Sequence, residues 1–219
     1  MIMDTSLIQL LHLCSTVFPT GVFSHSYGYE TLLEDGYADS AEGFGSYITA
    51  VLKSGSAKAE AIIVRFCSEE PQRLRYWDEL CTAIKPTREL RTASSKTGRA
   101  FLRAFRKMYP ESCDITETLP NKNYAAVFGC ACGSLGILPK SAVEAFLTSA
   151  VLSSVSAAIK LIPLSQLDGQ VLVQCCYETI AECAASALSA GEEDIFSFSP
   201  MADISSMRHE EQYSRMYMS

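Results

Sequence analysis

The chain has 219 residues, of which 48% are hydrophobic and 20% are charged, and it carries a formal net charge of -7. This composition excludes an intrinsically disordered chain and can build a sizeable core, and the length favours one domain, or two small ones. The excess of 25 acidic over 18 basic residues argues against a general nucleic-acid-binding protein, which normally shows a basic excess.

The N-terminal segment, residues 1–18, is apolar but lacks the pattern of a signal peptide. Asp4, and no basic residue, precedes the apolar run, and no small-residue cleavage site follows it. The nine cysteines are scattered from Cys14 to Cys183 without the spacing of a secreted disulfide framework. We therefore expect a reducing, cytoplasmic environment in which the thiols are mostly small, buried packing residues.

Helical spacing dominates the rest of the chain. Apolar residues recur at helical intervals in segments 7–14, 44–52 and 62–67, and prolines divide the chain into pieces of helical length. Ser40 is placed to cap the helix that follows it. These patterns predict an all-α, single-domain bundle of about nine or ten helices over residues 1–190, and a C-terminal tail, residues 191–219, that is flexible until it binds a partner.

Residues 18–30 form a polar and aromatic loop between two of these helices. Its proline and glycine favour a turn. Within it, His25, Tyr27 and Glu30 bring hydrogen-bonding groups and a carboxylate close together. The simpler interpretation is a helix–helix corner whose polar groups satisfy the backbone, with Glu30 as a buried, hydrogen-bonded carboxylate and not a metal ligand.

The segment from Lys85 to Lys107 is strongly basic. It contains eight basic residues and one acid, so it carries +7 and the rest of the chain carries -14. At about 100° per residue, most of its arginines share one face of a helix and the phenylalanines lie opposite. The basic face is either a solvated surface or a docking surface for an acidic partner or a second copy of the chain. Nucleic acid is a weaker alternative, because no aromatic residue interleaves with the cations.

Small residues dominate the segment 125–158, which we expect to form the packed centre of the bundle. The longest apolar stretch, residues 142–164, contains Glu144 and Lys160. Two charges would cost several kcal/mol inside a membrane, so this stretch is interpreted as a buried core helix.

Two polar segments follow this helix. In the first, Pro163 is expected to end the helix and Gly169 to turn the chain, and an interface and a structural turn are equally suitable interpretations. The second is the tail, where Tyr213 and Arg215 are of the residue types that commonly anchor interfaces. We therefore favour an interface role for the tail.

No catalytic or metal-binding constellation is visible in the sequence. The three histidines do not form the spacings of a zinc site, and Cys130 and Cys132 would point about 200° apart on a helix. The glycine motifs of nucleotide-binding sites and the serine nucleophile elbow are missing. We therefore predict no catalytic, cofactor-binding or metal-binding residues in this chain. The alternative is a carrier that binds a metal through His25, Cys14 and Glu30.

Four segments, taken together, resemble the urease accessory protein F (UreF) family. In chain order they are PTGVFSHSYGYE at 19–30, RELR followed by GR at 88–99, KLIPLSQLDGQ at 160–170 and DISSMRHEEQYSR at 203–215. The resemblance covers essentially the whole chain. It departs from the family pattern at Val22, where a second glycine is usual, at Tyr29, where leucine is usual, and at 123–124, where relatives often carry a histidine.

The resemblance implies an all-α homodimer that serves as a non-enzymatic adaptor or chaperone in urease maturation. The implied partners are a UreD- or UreH-type accessory protein, a UreG-type GTPase whose GTP hydrolysis is modulated, and apo-urease. Nickel is then handled by the complex, with direct nickel binding by this chain as the alternative. We expect neither nucleic acid nor a membrane as a partner.

Fourteen polar or aromatic residues within the four segments that carry the resemblance are the candidates for partner interfaces. They are His25, Tyr27, Glu30, Arg88, Glu89, Arg91, Arg99, Lys160, Gln166, Gln170, His209, Glu210, Tyr213 and Arg215. For Arg88, Glu89 and Arg91, an internal ion-pair network is as good an interpretation as partner contact.

Overall fold

The computed structural model describes residues 4–22, 25–112, 119–213 and 215–217. Over these ranges the chain forms eleven α-helices and no strand, which confirms the predicted all-α class with slightly more helices than expected. The helices are α1 (Ser6–Leu13), α2 (Tyr29–Glu34), α3 (Ala41–Ser54), α4 (Ser56–Glu69), α5 (Leu74–Ala83), α6 (Arg88–Met108), α7 (Tyr124–Ser134), α8 (Pro139–Leu161), α9 (Gln166–Cys175), α10 (Tyr177–Ser189) and α11 (Pro200–His209).

Helix α4 occupies the centre of the bundle and packs against α3, α7, α8 and α10. Helix α7 lies directly against it and is buried along most of its length. At Gly129 of α7, an added Cβ would lie 3.0 Å from Val64 Cα and closer still to the Val64 carbonyl oxygen. The small residues therefore let the two backbones approach, which confirms the predicted packed centre.

Helix α8 is long and apolar enough, by length and composition, to span a membrane, and α9 and α10 together pass the same criterion with a 41° bend between them. Of the apolar 18-residue stretch of α8 that meets this criterion, 56% is buried inside the protein. Pro139 occupies the first turn of the helix, where proline is tolerated. The interpretation of this stretch as a buried core helix is confirmed.

Two local predictions have opposite outcomes. The hydroxyl of Ser40 accepts a hydrogen bond from the Gly43 backbone N–H at 3.2 Å, so the predicted cap is confirmed. The predicted turn at Gly169 is wrong, because this glycine lies inside α9. A Cβ at Gly169 would collide with Ile159 of α8, so the glycine serves close helix packing and not a change of chain direction.

The eight described cysteines are free thiols, and all except Cys175 are buried or half-buried. Burial raises the pKa of Cys14 to about 12, and burial is also the main reason that the pKa of Cys81 rises to about 12. Thiols of this kind stay protonated at neutral pH, as expected of packing residues. Cys113 lies outside the described residues.

Helix α6 is amphipathic as predicted, with its phenylalanines buried and most of its cations exposed. The cations that are exposed and form no ion pair with any described residue are Arg88, Lys96, Arg99, Arg103 and Lys107. Lys85 does not belong to this surface. It is only 3% exposed, and its ammonium group donates to Glu60 Oε1 of α4 at 2.6 Å. Lys85 precedes the helix, so the helical periodicity does not determine where its side chain points.

Candidate functional site

The C-terminal segment of the described chain is folded back onto its own body. Helix α11 packs against α2 and α6. The loop before α2 makes this contact possible: Gly28 has φ +87°, and an added Cβ would lie 2.8 Å from Ser206 N. A side chain at Gly28 would therefore be strained in its backbone and would also push α11 away.

At the centre of this contact, His209 is fully buried between two carboxylates. Its Nδ1 lies 3.0 Å from Glu89 Oε2 on α6, and its Nε2 lies 3.2 Å from Glu30 Oε2 on α2. An ionised carboxylate accepts hydrogen bonds and cannot donate them, so two such bonds need an N–H on each ring nitrogen. The geometry therefore fits an imidazolium held between two ionised glutamates.

The two glutamates also hold the chain that follows α11. The Glu30 carboxylate accepts hydrogen bonds from the backbone N–H groups of Met216 at 2.7 Å and Tyr217 at 3.1 Å. Glu89 accepts from the Arg215 guanidinium at 3.1 Å. With a protonated histidine, the two negative and two positive charges of this group balance. We call these four residues, Glu30, Glu89, His209 and Arg215, the C-terminal clasp.

Further polar contacts surround the clasp. The hydroxyls of Thr87 and Ser206 lie 3.0 Å apart, and Gln212 donates to Glu34 at 2.7 Å. Arg208 forms an ion pair with Asp35. The inner side of α11 and of the residues after it is therefore held largely by hydrogen bonds and charges.

The outer side of α11 is apolar and exposed. Met201, Ile204 and Met207 recur every three residues along it, and each is about half exposed. Tyr213, beyond the helix, is fully exposed. Tyr213 is among the predicted interface residues, but the three apolar residues are not, although their regular spacing between 201 and 207 is a usable signal. An exposed apolar stripe of this kind is typical of a protein–protein contact.

The structure divides the predicted tail residues into two groups. His209 and Arg215 contact their own chain, whereas Glu210 and Tyr213 are exposed. The prediction that residues 191–219 stay flexible until they bind a partner remains a prediction. In this conformation, α11 packs against α2 and α6, and Ser214, Met218 and Ser219 lie outside the described residues.

A polar cleft beside the clasp brings together residues from three of the predicted segments. It is lined by His25, Arg88, Glu89, Thr92, Ala93, Lys96, Glu210 and Arg215. His25 is buried there, and burial, followed by the positive charge of Lys96, lowers its pKa to about 4. His25 is therefore neutral at pH 7. The charge of the cleft comes mainly from its exposed cations.

The other predicted residues take separate positions. Arg91 donates to the carbonyl oxygens of Lys85 and Pro86 and so belongs to an internal network, like Glu89. Lys160 is exposed at the end of α8, with its ammonium 5.8 Å from the centre of the Tyr217 ring. The three remaining candidates do not join the clasp: Gln166 and Gln170 are exposed on α9, and Tyr27 lines an internal cavity.

No group of three or more His, Cys, Asp or Glu side chains within the described ranges is arranged to hold a metal ion. His25, Cys14 and Glu30, the alternative carrier set, are therefore not such a group. The carboxylates of the clasp are occupied by His209, Arg215 and backbone N–H groups.

Comparison with known proteins decides the family. The UreF family model matches residues 38–176. The chain belongs to the UreF family. The urease accessory protein UreF of Microcystis aeruginosa is 33% identical to this UreF-family chain over 224 residues and covers the whole of both chains. The protein of the same name from Rhizobium leguminosarum bv. viciae is 33% identical over 218 residues, which cover 98% of this chain and 96% of the relative.

The extent of these matches bears on the clasp. The match to the UreF family model ends at residue 176, directly after α9, so α11 lies outside the matched residues. The full-length UreF of Trichormus variabilis, 31% identical over 222 residues, covers 99% of this chain, so its similarity reaches the C-terminal segment. The resemblance drawn from the sequence motifs is thus confirmed at the level of the family.

The clasp gives a direct test of how α11 is held. His209→Ala leaves the buried carboxylates of Glu30 and Glu89 without their shared partner, which is strongly unfavourable. We expect residues 201–213 to lose at least about tenfold of their protection from amide hydrogen exchange, because the segment opens locally. Arg208→Ala, which removes only an exposed ion pair, is the matched control and should change protection little. Unchanged exchange in the His209 variant would show that the clasp does not hold the helix.

Proposed function

We propose that this UreF-family protein is an adaptor in urease maturation. It binds a UreD- or UreH-type accessory protein and, through that complex, a UreG-type GTPase on apo-urease, where it supports nickel insertion and modulates GTP hydrolysis. The chain acts in the cytoplasm as a homodimer and contributes surfaces, not catalytic groups, while nickel is handled by the complex. The names of its full-length relatives, all urease accessory proteins, support this role.

The proposal rests on the difference between the two sides of α11, of which one is polar and contacts its own chain and the other is apolar and exposed. Its inner side is held by the clasp, and its outer side presents Met201, Ile204 and Met207 to the surroundings. Because polar contacts hold the inner side of α11 on the protein, its apolar side stays accessible to a partner. Exposed surfaces that are rich in methionine adapt well to the surface of a partner. We assign this stripe, together with Tyr213, to contact with the UreD- or UreH-type protein.

The exposed cations of α6 supply a second surface for the same assembly. Arg88 and Lys96 line the cleft beside the clasp, and Arg99 lies farther along the helix. Unpaired surface charges contribute mainly to the rate and specificity of association. We assign this face to an acidic partner surface, with a solvated surface as the simpler alternative.

Removal of residues 200–219 tests the adaptor role. When the truncated chain is co-expressed with a UreD-type protein, we expect co-purification and the jointly eluting peak in size-exclusion chromatography to be lost. Helical content, measured by circular dichroism, should stay close to the full-length value apart from the deleted helix. Urease activation in cells that carry the other accessory genes should fall in parallel. Unchanged affinity of the truncated chain for the UreD-type protein would contradict the assignment.

A further inference from the structure

The polar cleft beside the C-terminal clasp is formed by three separate parts of the chain. Its walls come from the loop before α2, from the first turns of α6 and from the residues after α11. His25 forms part of one wall and is only 4% exposed, so the cleft extends below the protein surface. Its volume is about 300 Å³, which is the lower end of the range for small-molecule sites.

Two cations that line the cleft have no partner within the described chain. Arg88 and Lys96 are exposed, and their side chains make no hydrogen bond or ion pair with any described residue. They lie two helical turns apart on α6, about 12 Å along its axis, and Thr92 lines the cleft between them. Because both side chains are long, their charged ends can bind two anionic groups of one molecule that lies between them.

The negative charges of the cleft do not cancel these two cations. Glu89 belongs to the clasp, where His209 and Arg215 occupy its carboxylate. Glu210 is exposed and supplies one negative charge against two positive ones. The cleft is therefore positive overall, although the whole chain carries a formal net charge of -7. This charge favours an anionic ligand.

The segment after α11 supplies a further set of donors. Arg215 lines the cleft, and the atom through which it binds Glu89, at 3.1 Å, is Nη1. A guanidinium group has five N–H donors, so others remain for a ligand. Because Arg215 and Glu210 both follow α11, the cleft is complete only while this segment is docked on α6.

We propose that this cleft binds a small molecule with two anionic groups, carboxylates or phosphates, and that the bound molecule stabilises the docked position of α11. One anionic group pairs with Arg88 and the other with Lys96, and Arg215 donates from the opposite wall. A ligand that binds only the complete cleft shifts the equilibrium toward the docked segment. The site does not rest on the adaptor role, although an acidic partner surface that reached Arg88 and Lys96 would compete with the molecule.

Titration of the full chain with succinate and, separately, with pyrophosphate tests the proposal. We expect saturable shifts of amide NMR signals around the cleft, with a dissociation constant of about 0.1–1 mM for the tighter probe. The tighter probe shows whether the anionic groups are carboxylates or phosphates. Acetate, which has a single anionic group, should bind at least about tenfold more weakly at matched ionic strength. A lack of saturation with both probes, or equal binding of acetate, would overturn the proposal.

Two double variants of α6 separate the cleft from a general attraction of anions to the basic helix. Arg88→Gln with Lys96→Gln should weaken binding of the tighter probe by at least about tenfold, because both pairing cations are lost. Arg103→Gln with Lys107→Gln is the matched control, because it removes the same charge from exposed residues of the same helix that do not line the cleft. Equal losses in the two variants would contradict the assigned site.

The remaining negative charge of the cleft gives a test in the opposite direction. Glu210→Gln removes a repulsive carboxylate from an exposed position, so we expect binding of the tighter probe to strengthen by about two- to threefold. Weaker binding in this variant would contradict the proposed anionic ligand.

Hydrogen exchange tests the link to α11. When the tighter probe is present at about ten times its dissociation constant, amide exchange of residues 201–213 should slow by about three- to tenfold, since the docked state gains about tenfold at most. Helix α9 does not line the cleft and should exchange at an unchanged rate. Unchanged exchange of residues 201–213 at saturation would show that the ligand does not stabilise the docked helix.

Discussion

The double substitution Ile204→Asp with Met207→Asp should abolish binding to the UreD-type partner. Both side chains are about half exposed on the outer side of α11 and make no contribution to the clasp. Two buried, unpaired carboxylates in an interface would weaken binding by more than about 100-fold, because apolar anchors near the centre of an interface carry most of its energy. Binding is measured by calorimetry or by co-purification at matched expression.

The matched control lies on another helix. Leu167 and Val171 of α9 are exposed to a similar or greater extent, and Leu167→Asp with Val171→Asp adds the same charge to the chain. We expect this control to retain partner binding. Loss of binding in the α9 variant with retention in the α11 variant would place the interface on α9 and contradict the assignment. Hydrogen exchange of residues 201–213 shows whether α11 stays docked in the variant.

Asp78→Ala should be the most destabilising single substitution outside the hydrophobic core. Asp78 lies on α5 and is fully buried. Its carboxylate accepts hydrogen bonds from the backbone N–H groups of Asn121 at 2.9 Å, Lys122 at 3.1 Å and Asn123 at 2.7 Å. These three residues lead into α7, the helix that packs on the centre of the bundle.

Alanine at this position leaves three backbone donors without their acceptor, the one of Asn123 buried and those of Asn121 and Lys122 partly buried. We expect the free energy of unfolding to fall by about 3–4 kcal/mol, since each unsatisfied donor costs about 1–3 kcal/mol and the loop can partly relax. In a protein of this size, the melting temperature would fall by about 6–16 °C. Thermal and urea denaturation at one fixed protein concentration measure the change.

Two further variants at the same helix sharpen this prediction. Asp78→Asn keeps one acceptor oxygen but turns an amide donor toward other donors, so we expect an intermediate loss. Glu79→Ala removes only an exposed pair with Arg75 and should change stability by less than about 0.5 kcal/mol. If Asp78→Ala unfolded at the same temperature as Glu79→Ala, the carboxylate would have no role in holding the start of α7.

Features that depend on neighbours in the chain could be predicted from the sequence, and features that depend on distant residues could not. Ser40 was recognised as a helix cap because the residues that cap a helix are neighbours in the chain. The amphipathic pattern of α6 was visible for the same reason. The burial of Lys85 was not predicted because its partner, Glu60, is on a different helix, and Gly169 was wrongly predicted to turn the chain because Ile159 is on the preceding helix.

The clasp shows the same limit at the candidate site. Motif resemblance singled out its four residues, Glu30, Glu89, His209 and Arg215, as interface candidates. For Glu30 a buried, hydrogen-bonded carboxylate, and for Glu89 an internal ion-pair network, were the alternatives. The resemblance did not indicate that the four residues would meet, because 179 positions separate His209 from Glu30 and 120 separate it from Glu89. Asp78 was missed altogether, since its three backbone partners lie more than forty positions away.

The sequence by itself determined the all-α class, the buried centre of small residues and, through its motifs, membership of the UreF family. These follow from hydrophobic periodicity, residue size and local motifs, all of which are properties of short stretches of chain. Only the tertiary structure decided which side of α11 packs against the protein and which is exposed, and where the cavity that Tyr27 lines is located. Those features depend on side chains that become neighbours when distant helices pack, and no local pattern specifies which distant residues will satisfy a buried charge or hydroxyl.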